Sequence, residues 1–242
     1  MPLGPNDSLS FSSHQLRRIE VTLAGYDGRE APARSALTDD DPTVRSAALS
    51  ALDRMGSLTD TDVSTALGDA ELRVRRRACE LATLMPITSS ASLEIDDILL
   101  NFLRTGDDTM AELGAWSLGE RHQQQNVGTD EFETSPETPD TTQAGTDFVA
   151  PNLGEIVEAL GAIVYHHSDA LVREAAVAAL GCIATPEAKP AILYAIDDKA
   201  TVRRRAVIAL AAFEGADVEA ALARATGDRD WQVRQAAEDL LA

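Results

Sequence analysis

Two clusters of arginine are the residues in this chain best suited to bind a ligand. One is the sequence RVRRR over residues 73–77, and the other is the run RRR over 203–205. A guanidinium group binds carboxylates through paired, charge-assisted hydrogen bonds, so these clusters favour an acidic partner. The alternative interpretation is that they only give a basic surface to the helices that carry them. The candidate partner-binding residues are Arg76, Arg77, Arg204 and Arg205.

The sequence contains no motif for catalysis or for a cofactor. It lacks a P-loop, a G-x-S-x-G turn, a zinc-ligand spacing and a dinucleotide-binding glycine pattern. His166 and His167 are adjacent and of a type that binds metals, but they stand in VYHHSD, which is more typical of a solvated turn. We therefore predict a protein without enzymatic activity, and assign no catalytic, metal-binding or cofactor-binding residue.

Other arginines belong to a repeated motif. The pattern V-R-x-x-A-x-x-A-L, led in most copies by an acidic residue, recurs about every 30 residues. A period of this length is typical of a solenoid, in which each unit buries its apolar face against its neighbours. We expect the motif arginines to pair with acidic residues of the repeats and to form a structural ladder: Arg45, Arg75, Arg173, Arg203 and Arg234.

Each repeat is predicted to fold as two helices, A and B, with the motif on the B helix. The small and the large apolar positions of the motif fall on one helical face. The acidic residue before the Val is a suitable N-cap, and in the fifth copy it is Asp198. Thr185 is the expected N-cap of the A helix before it. The A helices are predicted near residues 29–37, 60–67, 91–104, 152–165, 185–195 and 216–225, after a leading helix from His14 to about Ala24.

The motif also carries a resemblance to a known family. DALVREAAVAALG over 169–181 and ELGAWSLGE over 112–120 resemble the HEAT-like repeat of the phycobilin-lyase type. The resemblance implies an all-α fold, a right-handed α-solenoid of about six HEAT-like helix pairs with an N-terminal capping helix. It leaves function open, because the family includes both scaffolds and chromophore lyase subunits. In the third unit Ala111 replaces the motif arginine, so we expect the ladder to be interrupted there.

The repeats divide the chain into four segments. We predict a disordered tail over 1–12, HEAT-like repeats over 13–121 and again over 152–242, and a disordered acidic loop over 122–151. The loop is rich in Thr, Pro and acidic residues and has almost no apolar periodicity. We expect the second set of repeats to stack on the first as one solenoid. A hinge between two halves is the alternative.

Charge restricts the class of partner. A formal net charge of -19 disfavours nucleic acid and anionic membranes, because both are bound through basic surfaces. Without an apolar run of membrane-spanning length or a signal peptide, we expect a cytoplasmic monomer. The predicted function is a non-enzymatic scaffold that binds a protein or peptide with acidic groups on its concave face. The alternative is a phycobilin lyase-like enzyme or enzyme subunit.

Overall fold

In the described part of the chain, α-helices and two short 3₁₀ turns are the only regular secondary structure. A computed structural model describes residues 11–105, 107–126 and 153–242. The helices are α1 (Ser13–Asp27), α2 (Glu30–Ala36), α3 (Pro42–Arg54), α4 (Asp60–Leu67), α5 (Leu72–Ala82), α6 (Ser90–Arg104), α7 (Asp108–Asn126), α8 (Leu153–His166), α9 (Ala170–Ile183), α10 (Lys189–Ala195), α11 (Ala200–Ala209), α12 (Ala216–Ala225) and α13 (Trp231–Leu241).

The helices alternate as the sequence predicts. After α1, the even-numbered helices are the A helices, and the odd-numbered helices from α3 to α13 are the B helices that carry the motif. The predicted all-α repeat fold is therefore confirmed, while its handedness stays a prediction. Helix α7 continues to Asn126, so residues 122–126 are helical where a loop was expected. The remainder of that loop, and residues 1–10 of the predicted tail, lie outside the described residues.

The helices form two compact units, one ending at Leu81 and the other beginning at Ala82. In the first unit, α1 packs along α3, and α2 packs against both. Their contact surface is made of small and branched apolar side chains, which allows the helices to approach closely. The buried residues of this core are Val21, Ala33, Ala36, Val44, Ala48, Ala51 and Leu52.

In the second unit, the B helices form a continuous layer. Helix α7 packs against α9, α9 against α11, and α11 against α13, while α6, α8, α10 and α12 each pack on the B helix that follows them. Helices α7 and α9 are thus direct neighbours although the predicted acidic loop separates them in sequence. The motif's small and large apolar positions are fully buried here, as at Ala176, Leu180, Ala206 and Leu210.

Two glycines fix how closely the B helices approach. A Cβ added at Gly119 on α7 would lie 2.6 Å from the Cα of Ala179 on α9. A Cβ added at Gly181 on α9 would lie 2.7 Å from the Cβ of Ala209 on α11. The final glycine of the A-L-G sequence is therefore a packing residue, because a larger side chain would force neighbouring helices apart.

The acidic residues before the motif act as helix caps in most repeats. Asp41 accepts a hydrogen bond from the backbone N–H of Thr43 at 2.7 Å, and Asp230 accepts one from Gln232 at 2.9 Å. Asp169 caps α9 in the same way. Each carboxylate satisfies a backbone donor that the helix leaves free and lies at the positive end of the helix dipole.

Two expected caps differ in the structure. The N-cap of α11 is Lys199, whereas Asp198 precedes it and binds an arginine of the neighbouring repeat. Thr185 stands at the start of a 3₁₀ turn, Pro186–Ala188, that leads into α10. Its hydroxyl is buried and has no hydrogen-bond partner among the described residues. Thr185 is thus the N-cap residue of this turn, followed by Pro186 as predicted, but its side chain makes no capping hydrogen bond.

Candidate protein-interaction surface

Arg173 shows how a motif arginine joins one repeat to the next. Its Nε and Nη2 donate to the two carboxylate oxygens of Asp198, both at 2.7 Å. Its Nη1 donates to the carbonyls of His167 and Ser168, at 2.7 and 2.9 Å, in the turn before its own helix. The guanidinium thus ties the turn of its own repeat to the turn of the next one.

The same geometry recurs at two other motif arginines. Arg203 binds both carboxylate oxygens of Asp228, at 2.8 and 2.7 Å, and the carbonyl of Asp198 at 2.7 Å. In the first unit, Arg45 binds both carboxylate oxygens of Asp69, at 2.8 and 2.7 Å. We use the term rung for each such Arg–Asp pair. Planar, two-point pairing of this kind is specific to arginine.

The rungs also fix the ionisation of their acids. The hydrogen bonds from Arg173 hold the pKa of the Asp198 carboxyl below its usual range, against the opposing effect of burial. Arg45 and Arg203 lower the pKa of Asp69 and Asp228 in the same way. All three carboxylates are therefore charged at neutral pH, as a rung requires.

The other two predicted ladder residues also bind backbone carbonyls in the turn before their own helix. Arg75 donates to the carbonyls of Asp69 and Ala70, at 2.7 and 2.8 Å. Arg234 donates to the carbonyl of Asp228 at 2.7 Å. Within the described residues, Arg234 has no carboxylate at ion-pair distance.

The third helix pair replaces the rung with a buried charge cluster. Ala111, which stands where the motif has arginine, is fully buried. On the same helix, Arg121 donates from Nε to Asp96 on α6 at 2.7 Å and from Nη2 to the carbonyl of Ser92 at 3.1 Å. Its Nη1 bonds the carbonyl of Ala82. The polar link between elements persists here, but it lies in the core.

His122 completes this cluster. Its Nε2 lies 3.4 Å from Oδ2 of Asp96, and the imidazole is almost fully buried. The motif did not predict Asp96, Arg121 or His122 as a group. One signal was present: Asp96 lies in a helical pattern with Leu99, Leu100 and Leu103, and a carboxylate in such an apolar face requires a buried partner.

The four candidate partner-binding arginines differ in their surroundings. Arg76 and Arg204 are exposed. Arg77 is held within its own unit, because it donates to Ser50 Oγ at 2.9 Å and to Glu80 at 2.8 Å. Arg205 is half-buried, and its Nη2 lies 3.5 Å from Glu174 on α9. Of the two candidates in the second unit, Arg204 is therefore the more exposed.

The adjacent histidines lie at the end of α8. His166 is exposed, and His167 lies 3.7 Å from Asp108. They border an open cleft of about 870 Å³ between α6 and α8, across which Arg104 binds Glu155 at 2.6 Å. No group of three or more His, Cys, Asp or Glu side chains in the described ranges is arranged to hold a metal ion.

None of the helices within the described residues has both the length and the apolar character needed to span a bilayer.

Comparison with known proteins identifies the repeat. Residues 155–242 match a family model described as HEAT repeats. The crystal structure of YibA from Escherichia coli is similar at 16% identity, with a TM-score of 0.60, over 96% of this chain and 75% of that one. A designed armadillo repeat protein is similar at 15% identity, with a TM-score of 0.52, over 86% of this chain and 97% of that one. A search of curated proteins finds no match.

Fold and motif define the class as an all-α helical-repeat protein. The family match falls on the helix pairs with the best-preserved motif, so residues 155–242 are similar to HEAT repeats, and solved structures of the same helical-repeat fold cover most of the chain. Proteins built this way present long surfaces made from one layer of helices.

Proposed function

We propose that this protein is a non-enzymatic scaffold that binds a protein or peptide with acidic groups on its B-helix surface. Within the second unit this surface consists of the exposed side chains of α7, α9, α11 and α13, which we expect to form the concave face of a helical-repeat fold. The observation that carries the proposal is Arg204, an exposed guanidinium beside Ile208, whose side chain is also 40% exposed. An available cation next to exposed apolar area is a typical anchor for a protein partner.

The repeat also explains why only some arginines are available. Arg173 and Arg203 are fully used by rungs, so they hold the helices in place. Arg204 follows Arg203 by one position and therefore points away from the rung. Within the first unit, Arg76 has the same relation to Arg75 and is likewise exposed. The motif thus supplies a structural arginine and, in these two repeats, a neighbouring arginine for a carboxylate of the partner.

Selection of peptides from a random display library, with the full chain as target, tests this proposal. We expect the selected peptides to contain Asp or Glu beside apolar residues. The double substitution Arg204→Ser and Arg205→Ser should lower the affinity for these peptides about tenfold or more, because a charge-assisted hydrogen bond contributes about 1.5–3 kcal/mol. Calorimetric titration of the selected peptides measures the change.

A matched control uses two arginines that lie outside the B helices of the second unit. Arg224 on α12 and Arg229 in the turn after it are exposed, and their replacement by Ser changes the net charge equally. This variant should bind the peptides as the unaltered chain does. The proposal fails if no peptide is selected, or if both double variants lose the same affinity.

The non-enzymatic part of the proposal has its own test. The lyase alternative requires a stable adduct with an open-chain tetrapyrrole. We expect mixing the protein with such a pigment to leave no absorbance band that survives denaturation and desalting. A persistent band would establish the enzyme alternative instead.

A further inference from the structure

Helix α7 exposes a single strip of side chains. Glu112 and Trp116 are exposed, with Trp116 at 40%, and Glu120 is partly exposed one turn further on. Most other side chains of α7 are buried up to His122. Spacing of four residues places the three side chains on one face, so a Trp stands between two carboxylates. Within the described residues, neither Glu112 nor Glu120 has an ion-pair partner.

The strip borders a trough floored by small residues of α9. Ala178 and Cys182 are half-buried on the outer face of α9, one turn apart. Burial raises the pKa of the Cys182 thiol, the carboxylate of Glu120 on α7 raises it further, and Arg205 on α11 lowers it. Helices α7 and α11 both pack against α9 through glycine contacts, so these groups lie on three neighbouring helices.

The opposite wall of the trough is apolar and basic. It is formed on α11 by Ile208, which is 40% exposed, and by Arg204. Packed helices lie about 8–10 Å apart, so the walls on α7 and α11 stand about two such spacings apart. At about 1.5 Å per residue, a helical segment of about 11–13 residues laid across α9 reaches from one wall to the other. The groove over α9 can therefore hold a short helix whose two ends meet the two walls.

We propose that this groove binds a helical segment of the partner protein, with an arginine or lysine of that segment against Trp116 between Glu112 and Glu120. This inference rests on the proposed scaffold function and names the partner's chemistry at the end of the surface away from Arg204. An apolar side chain of the same segment packs on Ala178 and Cys182 against Ile208.

Charge complementarity selects a cation for the Trp116 end. The face of an indole attracts a cation, and two flanking carboxylates add to that attraction while disfavouring an acidic side chain. The Arg204 end has the opposite preference. The groove thus prefers a partner helix with a basic side chain over α7 and an acidic side chain over α11. This order of charges fixes the direction in which the partner helix lies.

Two peptides of defined sequence test the inference directly. One is a short alanine-based helix with an arginine between two leucines at one end and a glutamate at the other. Its twin has glutamine in place of the arginine. The chain contains two tryptophans, so the variant Trp231→Phe leaves Trp116 as the only one. We expect the arginine peptide to change Trp116 fluorescence and to bind about tenfold more tightly than its twin.

Charge reversal provides the decisive comparison. The double substitution Glu112→Arg and Glu120→Arg should abolish or reverse the preference for the arginine peptide. The matched control reverses two exposed acids on the A-helix side, Glu187 and Glu219, and should keep the preference. All these side chains are solvent-accessible, and circular dichroism checks that each variant folds.

The outcomes separate this inference from the scaffold proposal. Equal binding of the two peptides, or a preference that survives reversal at Glu112 and Glu120, overturns the cation site. If display-selected peptides still depend on Arg204 and Arg205 in that case, the scaffold stands without it. If the selection yields no peptide and neither defined peptide binds, both proposals fail.

Discussion

Arg173 on α9 and Arg121 on α7 make similar bonds in surroundings of very different polarity. Each binds one carboxylate and backbone carbonyls of other residues. The side chains of Arg173 and Asp198 keep 12% and 13% of their exposed area, whereas those of Arg121 and Asp96 keep 0% and 3%. Removing a charge from water is costly, so the two pairs should respond differently to the loss of one partner.

The comparison shows what the repeat specifies. Arg173 occupies a position that every intact copy of the motif shares, and in the three rungs the acid follows 24 or 25 residues later. Arg121 lies outside that position, in the copy where alanine has replaced the motif residue. Both regions thus link neighbouring elements through an arginine and an aspartate, but the arginine occupies a different position on its helix.

Loss of the buried partner should have the largest effect. The substitution Arg121→Met leaves the Asp96 carboxylate in the core without its donor, and we expect it to cost about 3–5 kcal/mol. Urea unfolding followed by circular dichroism measures this. The double variant with Asp96→Leu should recover most of the loss, because it removes the uncompensated charge. A double variant as unstable as the single one would contradict this cause.

Loss of a rung should have a smaller and pH-dependent effect. We expect Asp198→Asn to cost about 2 kcal/mol at neutral pH, since it removes a two-point, charge-assisted pair. The folded-state pKa of Asp198 is lowered, so the rung's contribution is present above its ordinary pKa of 3.8 and disappears as the pH falls through the lowered value. The free energies of unfolding of the unaltered chain and of the Asp198→Asn variant should converge as the pH falls. A constant difference would show that charge is not the cause.

Crowding the glycine contact between B helices should lower the stability less than loss of a rung. Gly181→Ala places a methyl group within 2.7 Å of Ala209, and we expect a loss of about 1–2 kcal/mol. Gly161→Ala on α8 is the matched control, because its nearest neighbour is 3.9 Å away. That control should be neutral or stabilising, as alanine favours a helix over glycine. Similar thermal midpoints for both variants would remove the packing explanation.

Loss of one helix cap should have the smallest effect. Asp169→Ala removes the acceptor for the backbone N–H of Leu171 and should cost about 1 kcal/mol. Asp197→Ala, in an exposed position without a capping role, serves as the reference. Equal urea midpoints for the two variants would argue against capping by Asp169.

The sequence predicts the periodic features of this protein well. Helix α12 has the predicted limits of 216–225, and α4 those of 60–67, because apolar spacing and turn residues are local signals. The caps at Asp41, Asp169 and Asp230 follow from the same logic. Asp198 was misplaced because an acid before a helix is suited equally to capping and to pairing with an arginine, and only the neighbouring repeat decides between them.

The less regular features depend on contacts that local patterns do not encode. The Arg121–Asp96 pair joins residues 25 positions apart in a copy where the motif is degenerate. Glu112, Trp116 and Glu120 form an evident helical strip, but its meaning depends on the neighbours α9 and α11. The candidate site was therefore predicted as a cluster of arginines, and its acidic, aromatic side emerged only from the packing of the B helices.

The rungs have a consequence for how such a chain is rearranged by duplication. Arg173 reaches forward to Asp198, and Arg203 in turn reaches forward to Asp228, with the same donor atoms and nearly the same distances. A tandem copy of α10 and α11 with their turns would offer an acid to the module behind it and an arginine to the module ahead. The same Arg–Asp pair would therefore form at each new boundary between modules, and the chain could lengthen by duplication without a new type of contact.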